Sequence, residues 1–508
     1  MCRLYTEALW YGRIGRQNEG DTCYQIEPFA GMCNVPLETA TYIPEKAGFC
    51  QKMNGMKTID TMPRLQVASG SYVVTEKTPQ ILEAHLGTCV GVTLCDRNAN
   101  VGGLIHLLLP EPTGMQKDWQ PALYATTGLP LFLQALHDAG ASKDNLKAFV
   151  AGGALVGPLS EEDLDLNIGG RTTEIVEETL HREGIPVYKS ETGGYFSCSL
   201  SLNTETWESH IEPSGISAMP SENEICKKPS FKQIEDAVER VRPIPQVALK
   251  IIRMIHDDNY SMKDIAEEVR QDQIICAKVL RLCNSAFFAT KVKIDTLNRA
   301  LVMIGEKNLM QLVVSASLED FFPETKQGYS LCKGGLFLHA LGTAIISEKL
   351  AELTGKASSG LAYTAGLLHD IGKVVLDQYL APAYPLFYRR TQIDGVNLIE
   401  VESDEFGVTH TEVGGRLAER WSLPDNLGDT IRNHHYPEQA SISPELTHLI
   451  YLADLLMSRF AVGHELERLN TNQLTSRLQK VGLHSEQFPL IVENIPYQIL
   501  NGSLLNGH

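Results

Sequence analysis

The chain has 508 residues, 43% hydrophobic and 21% charged, which suits two to four domains of ~100–200 residues and excludes a disordered or low-complexity protein. Against 44 Lys+Arg stand 62 Asp+Glu, and the net charge of -18 opposes phosphate backbones and anionic lipid, so neither nucleic acid nor a membrane surface is an expected partner. The 11 Cys form no CxxC, the N-terminal stretch lacks the apolar core of a secretory signal, and no run approaches the ~18 apolar residues of a membrane span; reduced thiols in a cytoplasmic protein without membrane insertion are expected.

Residues 1–63 show scattered Gly, Pro and Cys without periodicity and receive no fold; their four Cys are irregularly spaced and have no His among them, a poor zinc set. From Val67 the texture changes to short β-rich runs: SYVV, CVGVTLC, LIHLLLP, AFVAGG, IPVYKS and YFSCSLSL. Helical patterns at 121–139 and 170–184 lie between them, so an α/β or α+β domain is expected over 64–212. The polar, Pro- and Ser-rich stretch 205–236 reads as a linker, placed at 213–235 between domains. Beyond it the period is helical throughout: RPIPQVALKIIRMIHDDN, SMKDIAEEVRQD, QIICAKVLRLCNSAFF, LNRALVMIGEKNLMQLVVSASLEDFF and GGLFLHALGTAIISEKLAELTG. The expected architecture is multidomain, an N-terminal α/β (α+β) domain followed by an all-α domain over 236–462 and a helical extension over 463–508.

Two groups of residues carry chemistry. In LGTCVGVTLCDRNANVGGLIHLLLP, Val90, Val92 and Leu94 alternate with Gly91, Thr93 and Cys95, and Leu104 to Leu109 form a second strand. A hairpin centred near Asn98 and Ala99 pairs residues whose numbers sum to about 197, setting Cys89 opposite Leu108 and His106 on the same face, one diagonal step away. A slip of one residue would separate them. A Cys and a His within reach are the minimum for thiolate attack on a carbonyl carbon; a buried Cys beside a strand His with satisfied nitrogens is the simpler alternative on geometry alone. The second group is His339, the His369–Asp370 doublet with Lys373 one turn on, His410, His434, His435 and Asp454, spread over several apolar helices. Any one His there would read as a core residue; the set reads as a shared polar site of imidazole and carboxylate donors, the ligands of a divalent ion in a helix bundle.

Residues 67–205 resemble the chemoreceptor glutamine deamidase (CheD) family through SYVV, LGTCVGVTLCD, GGLIHLLLP, AFVAGGA and IGGRTTEIVEETLHREGIPVYKSETGG. The resemblance implies a protein-glutamine glutaminase, an amidohydrolase needing no cofactor. Cys89 would be its nucleophile and His106 its general base. Its substrate would be Gln side chains in the cytoplasmic helices of chemoreceptors, with other chemotaxis signalling proteins as further partners. The sequence departs from the family at Glu83, where the family has a Thr; at Thr88, where it has Ser; and at His85, where it has Gly. Glu83 and Thr88 are therefore the possible assisting residues. The segment 236–460, with Asn284-Ser285 and the His–Asp set, resembles the HDOD family, signalling modules related to the HD phosphohydrolases. That likeness admits a divalent metal (Mn, Fe or Mg) at His339, His369, Asp370, His410, His434, His435 and Asp454. Two alternatives stand beside a deamidase regulated by an HDOD domain: a non-catalytic signalling and interaction protein, and a metal-dependent phosphohydrolase acting through the HD site.

Overall fold

The computed structural model describes residues 62–113, 120–155, 165–194, 197–213, 228–257, 269, 272–284, 294–322, 328–330, 334–460, 466–467, 469, 471–496 and 499. The Cys of residues 1–50, most of the helix expected at SMKDIAEEVRQD, and Ser285 lie outside them.

The N-terminal half carries β1 (Arg64–Gln66), β2 (Ser71–Glu76), β3 (Ile81–Leu86), β4 (Val90–Asp96), β5 (Val101–Leu107), α1 (Ala125–Asp138), β6 (Lys147–Gly152), α2 (Ile168–Arg182), β7 (Val187–Thr192), β8 (Cys198–Asn203) and β9 (Glu208–Pro213). The strands form two sheets, β1-β3-β8-β9 and β2-β5-β4-β6-β7, antiparallel except for the β1–β3 and β6–β7 pairs. Alternation sorts the two faces of the five-stranded sheet. Val90, Val92, Leu94, Ile105 and Leu107 face α1 and α2, packing on Leu129, Phe132, Val176 and Leu180. Cys89, Cys95, Leu104 and Leu108 belong instead to the core shared with Leu82, Leu86, Leu200 and Leu202 of the other sheet.

The β4–β5 hairpin runs from Val90↔Leu107 to Asp96↔Val101, the register read from the sequence. Its second strand begins at Val101, earlier than expected, because Gly102 and Gly103 are strand residues and not turn. A Cβ on Gly103 would meet the Val73 carbonyl at 2.3 Å, and one on Gly102 would meet the Trp207 ring at 2.6 Å. Close approach of neighbours, not a bend, accounts for both glycines. The linker expectation needs correction: within 205–236, Glu208–Pro213 is β9, paired with β8 from Cys198↔Pro213 to Asn203↔Glu208, and a helix begins at Phe231. Polar composition misled because β9 lies at the sheet edge, where its side chains need no core.

The C-terminal half is helical: α3 (Phe231–Arg240), α4 (Gln246–Asp257), α5 (Gln273–Cys283), α6 (Leu297–Leu318), α7 (Gly335–Thr354), α8 (Ser359–Leu368), α9 (Lys373–Tyr388), α10 (Leu398–Phe406), α11 (His410–Arg420), α12 (Asp425–Asn433), α13 (Pro444–Phe460), α14 (Leu474–Lys480) and α15 (Phe488–Glu493). Gly305, with φ of 81°, breaks α6 where the sequence suggested one continuous helix. Helices α7, α8 and α13 are buried on nearly every side, and α7 and α8 lie against each other at the centre. The two halves touch at α15: Glu493, 4% exposed, accepts hydrogen bonds from the backbone N–H and the hydroxyl of Thr113. Among the described residues no helix is long and apolar enough to cross a membrane.

Candidate active site and candidate metal centre

Cys89 occupies the tight turn between β3 and β4. Two backbone bonds pin that turn: the Gly153 N–H donates to the Cys89 carbonyl (2.8 Å) and the Ala154 N–H to the Gly87 carbonyl (2.9 Å). The AGGA motif at the end of β6 is thus a clamp. Gly152 has φ of 98°, and a Cβ there would sit 2.2 Å from the Cys89 carbonyl oxygen, so no other residue fits without moving Cys89.

His106 lies on β5 between the sheets, 1% exposed. Its Nδ1 is 3.0 Å from the Val67 carbonyl, which can only accept; Nδ1 therefore carries the proton and Nε2 presents a lone pair. Nε2 is 3.2 Å from the Ser69 hydroxyl, which lies 3.9 Å from Cys89 Sγ. Burial pushes the His106 imidazole down to about 4, against a weaker upward pull from the Val67 bond, so the ring is neutral at physiological pH. Glu83 is oriented elsewhere: its carboxylate accepts from Arg64 Nη1 and Gln66 Nε2, both at 2.8 Å. Val67, not Glu83, orients the His106 ring. Thr88, 7% exposed, precedes Cys89 in the turn, and His85 pairs with the Ser199 hydroxyl at 2.7 Å.

The HD set converges completely, in two groups. Asp370, His410, His434 and His435 offer donor atoms within 4.8 Å of one another, and so do His339, His369 and Asp454. The groups adjoin: His339 Nε2 is 3.0 Å from Asp454 Oδ1, 3.3 Å from His369 Nε2 and 3.5 Å from Asp370 Oδ2. Local sequence explains how the helices deliver them. His369 and Asp370 close α8, and Gly372 lets α9 start against α11, since a Cβ there would lie 1.9 Å from the His410 carbonyl. His410 opens α11 behind a Thr409–Glu412 capping box.

The hydrogen bonds on the outer nitrogens aim the inner ones. His369 Nδ1 donates to the Gly366 carbonyl (2.7 Å), His434 Nδ1 to the Ile431 carbonyl (2.9 Å) and His410 Nδ1 to the Glu402 carboxylate (2.9 Å). Each Nε2 is left with a lone pair directed at the centre. Glu402, fully buried, also accepts from the Tyr329 hydroxyl and the His410 N–H. Lys373 Nζ spans Asp370 Oδ2 (2.7 Å) and Glu467 Oε2 (2.5 Å). Burial raises the Asp370 carboxyl, but His369 and Lys373 outweigh it and hold the group well below the usual carboxylate range.

This donor set fits a divalent cation. Asp370 Oδ1, His434 Nε2 and both Asp454 carboxylate oxygens are buried without a well-directed hydrogen bond. The Nε2 atoms of His410 and His435 lie 3.0 Å apart in a hydrogen bond, near enough for both to face one ion. Three buried carboxylates (Asp370, Asp454, Glu467) surround one ammonium, Lys373, and the excess negative charge suits a cation. Sequence reasoning missed Val67, Ser69, Glu402 and Glu467. The first two sit in an irregular turn, Glu402 on a helix without His, and Glu467 beyond the boundary drawn at 462; none belongs to a motif.

The comparisons agree with this division of the chain into a Cys–His α/β half and an HD-type helical half. Residues 108–213 match the family described as CheD chemotactic sensory transduction, a match that begins just after His106, and residues 241–437 match the HDOD domain. A probable chemoreceptor glutamine deamidase CheD of Desulforamulus reducens is 38% identical over 130 residues, 26% of this chain and 78% of the relative. One of Clostridium novyi is 31% identical over 137 residues, 27% of this chain and 85% of the relative. Among solved structures, an HDOD domain protein of unknown function from Geobacter sulfurreducens aligns at 24% identity over 55% of this chain and 96% of that one, with a TM-score of 0.46. The chain belongs to the CheD family and carries an HDOD domain behind its CheD domain.

Because Glu402 fixes the tautomer of His410, Glu402→Gln should weaken metal retention by about 10–100-fold. Competition of the purified protein with a chelator, read by elemental analysis, measures this; unchanged retention would mean that His410 is not a ligand.

Proposed function

We propose that this protein is a cytoplasmic chemoreceptor glutamine deamidase, hydrolysing receptor Gln side chains to Glu with release of ammonia, under the control of its HDOD half. The division is 64–213 for the deamidase domain, which closes with β9, and 230–462 for the HDOD domain, which opens at the cap of α3, with 463–508 as an extension. The observation that carries the reading is the buried neutral His106, its Nδ1 proton held by Val67 and its Nε2 lone pair turned toward the side where Cys89 sits.

The chemistry follows from that arrangement. His106 acts as general base as Cys89 Sγ bonds to the amide carbon, and the carbonyl electrons move to oxygen. A trans peptide points its N–H opposite its carbonyl. With the Gly87 carbonyl tied to Ala154, the Thr88 N–H is aimed away from that clamp, and we assign it to the oxyanion. This gives Thr88 a backbone role. The imidazolium then gives its proton to the departing ammonia. Water, deprotonated by His106, hydrolyses the thioester and leaves Glu. No metal enters these steps.

In the HDOD half, a divalent ion held by His339, His369, Asp370, His410, His434, His435 and Asp454 would supply electrostatic cross-linking of five helices, or Lewis-acid chemistry if substrate reached it. The seven side chains are at most 8% exposed, which favours the signalling role over phosphohydrolase turnover. The route to the deamidase is α13 to α15, where Glu493 holds Thr113, seven residues past His106.

Incubation with chemoreceptor cytoplasmic fragments should convert Gln to Glu, followed by peptide mass spectrometry, and Cys89→Ala should abolish it; conversion by that variant would exclude Cys89 as nucleophile. With burial pushing His106 down to about 4, the acid limb of kcat/KM should fall near that pH and not near 6.5, with activity lost as pH falls through it. A limb near 6.5 would mean a solvated base. Removing metal by chelation should change the conversion rate of the full chain, and Glu493→Ala should erase that sensitivity; an unchanged rate on chelation would leave the HDOD half without influence.

A further inference from the structure

Ser69 lies in the turn between β1 and β2 and is 1% exposed. The turn is fastened to β5 from both sides: the Gly70 N–H donates to the His106 carbonyl (2.7 Å), and His106 Nδ1 donates to the Val67 carbonyl. The Ser69 hydroxyl is thereby held 3.2 Å from His106 Nε2 and 3.9 Å from Cys89 Sγ. The directions of these bonds are constrained. With its proton on Nδ1, the imidazole can only accept at Nε2, so the hydroxyl is the donor. A serine oxygen that donates its single proton keeps two lone pairs, and the thiol within reach of one of them carries a donor S–H.

We propose that Ser69 is a further catalytic residue, relaying the Cys89 proton to His106. As sulfur bonds to the carboxamide carbon, the S–H bond breaks and its proton forms a new O–H bond on Ser69. The original hydroxyl proton passes to Nε2 in the same event. The sulfur electron pair goes to the S–C bond and the carbonyl π pair to oxygen; serine ends unchanged and the imidazole gains one proton. The relay also accounts for Glu83. That residue stands where the family resemblance sets a Thr, its carboxylate is committed to Arg64 and Gln66, and a hydroxyl from a different segment reaches the thiol instead. The assignment rests on Cys89 and His106 as the reacting pair and deepens the deamidase reading.

The test follows thiol reactivity, so it does not need a receptor substrate. Iodoacetamide, itself a small carboxamide, is reacted with the full chain at pH 7, and alkylation of Cys89 is timed by peptide mass spectrometry, with melting by circular dichroism to verify folding. Ser69→Ala removes one oxygen from a turn held by backbone bonds and should slow Cys89 alkylation about tenfold or more, with Ser69→Thr restoring most of the rate. In a His106→Asn background, Ser69→Ala should cost nothing further, because a relay without its terminus is already broken. An undiminished rate in Ser69→Ala, an additive loss in the double variant, or a wild-type Cys89 that does not react would each overturn the relay. Ser69-dependent alkylation in a protein that converts no receptor Gln would sink the deamidase reading and leave the relay standing.

Discussion

The bond from His106 Nδ1 to the Val67 carbonyl decides what the N-terminal half can do. An imidazole buried between two sheets has one proton and two nitrogens. A backbone carbonyl on Nδ1 consumes the proton on the outer side and leaves a basic lone pair inside. The same device recurs in the helical half, where the Gly366 carbonyl, the Ile431 carbonyl and the Glu402 carboxylate take the Nδ1 protons of His369, His434 and His410. In one half the freed Nε2 faces the Ser69 hydroxyl beside Cys89; in the other, three of them converge with carboxylates on a place suited to a cation. The neighbours, not the histidines, decide what each freed nitrogen faces.

Holding such groups is what the fold spends its tightest contacts on. The Cys89 turn is gripped by backbone atoms of Gly153 and Ala154, and Gly152 is required because Cys89 passes within 2.2 Å of where its Cβ would be. Gly372 lets α9 start against the backbone of α11, and through this approach Asp370 and His410 come within 3.4 Å. Close backbone approach, rather than flexibility, is the role of these glycines. The α15 contact from Glu493 to Thr113 connects the two systems, since a helix of the HDOD half holds the segment that leaves the His106 strand.

Much of this was legible in the sequence where the information is local. Period-two alternation and one turn fixed the β4–β5 register, and with it the nearness of Cys89 to His106. The HD doublet and its flanking His announced a shared site because polar donors on apolar helices must meet something. Ser69, Val67 and Glu467 were not legible, because each acts across a long chain separation: 20 residues from Ser69 to Cys89, 39 from Val67 to His106 and 94 from Lys373 to Glu467; Glu402 lies only eight residues before His410, but on a separate helix without His. A Ser in a Gly-containing turn reads as turn chemistry, and a Glu on an amphipathic helix reads as surface. Strand β9 was hidden for a related reason, as an edge strand with a polar sequence resembles a linker until its partner is known.

If Cys89 is the nucleophile toward a receptor glutamine, a reactive mimic of that glutamine should trap it. The most direct measurement presents it with a receptor peptide in which the target Gln is replaced by 6-diazo-5-oxo-norleucine, a glutamine mimic that alkylates the group attacking its side-chain carbonyl. A single adduct is expected, located by peptide mass spectrometry at Cys89 and greatly slowed by His106→Asn. An adduct on another residue, or none while the peptide is bound, would contradict it.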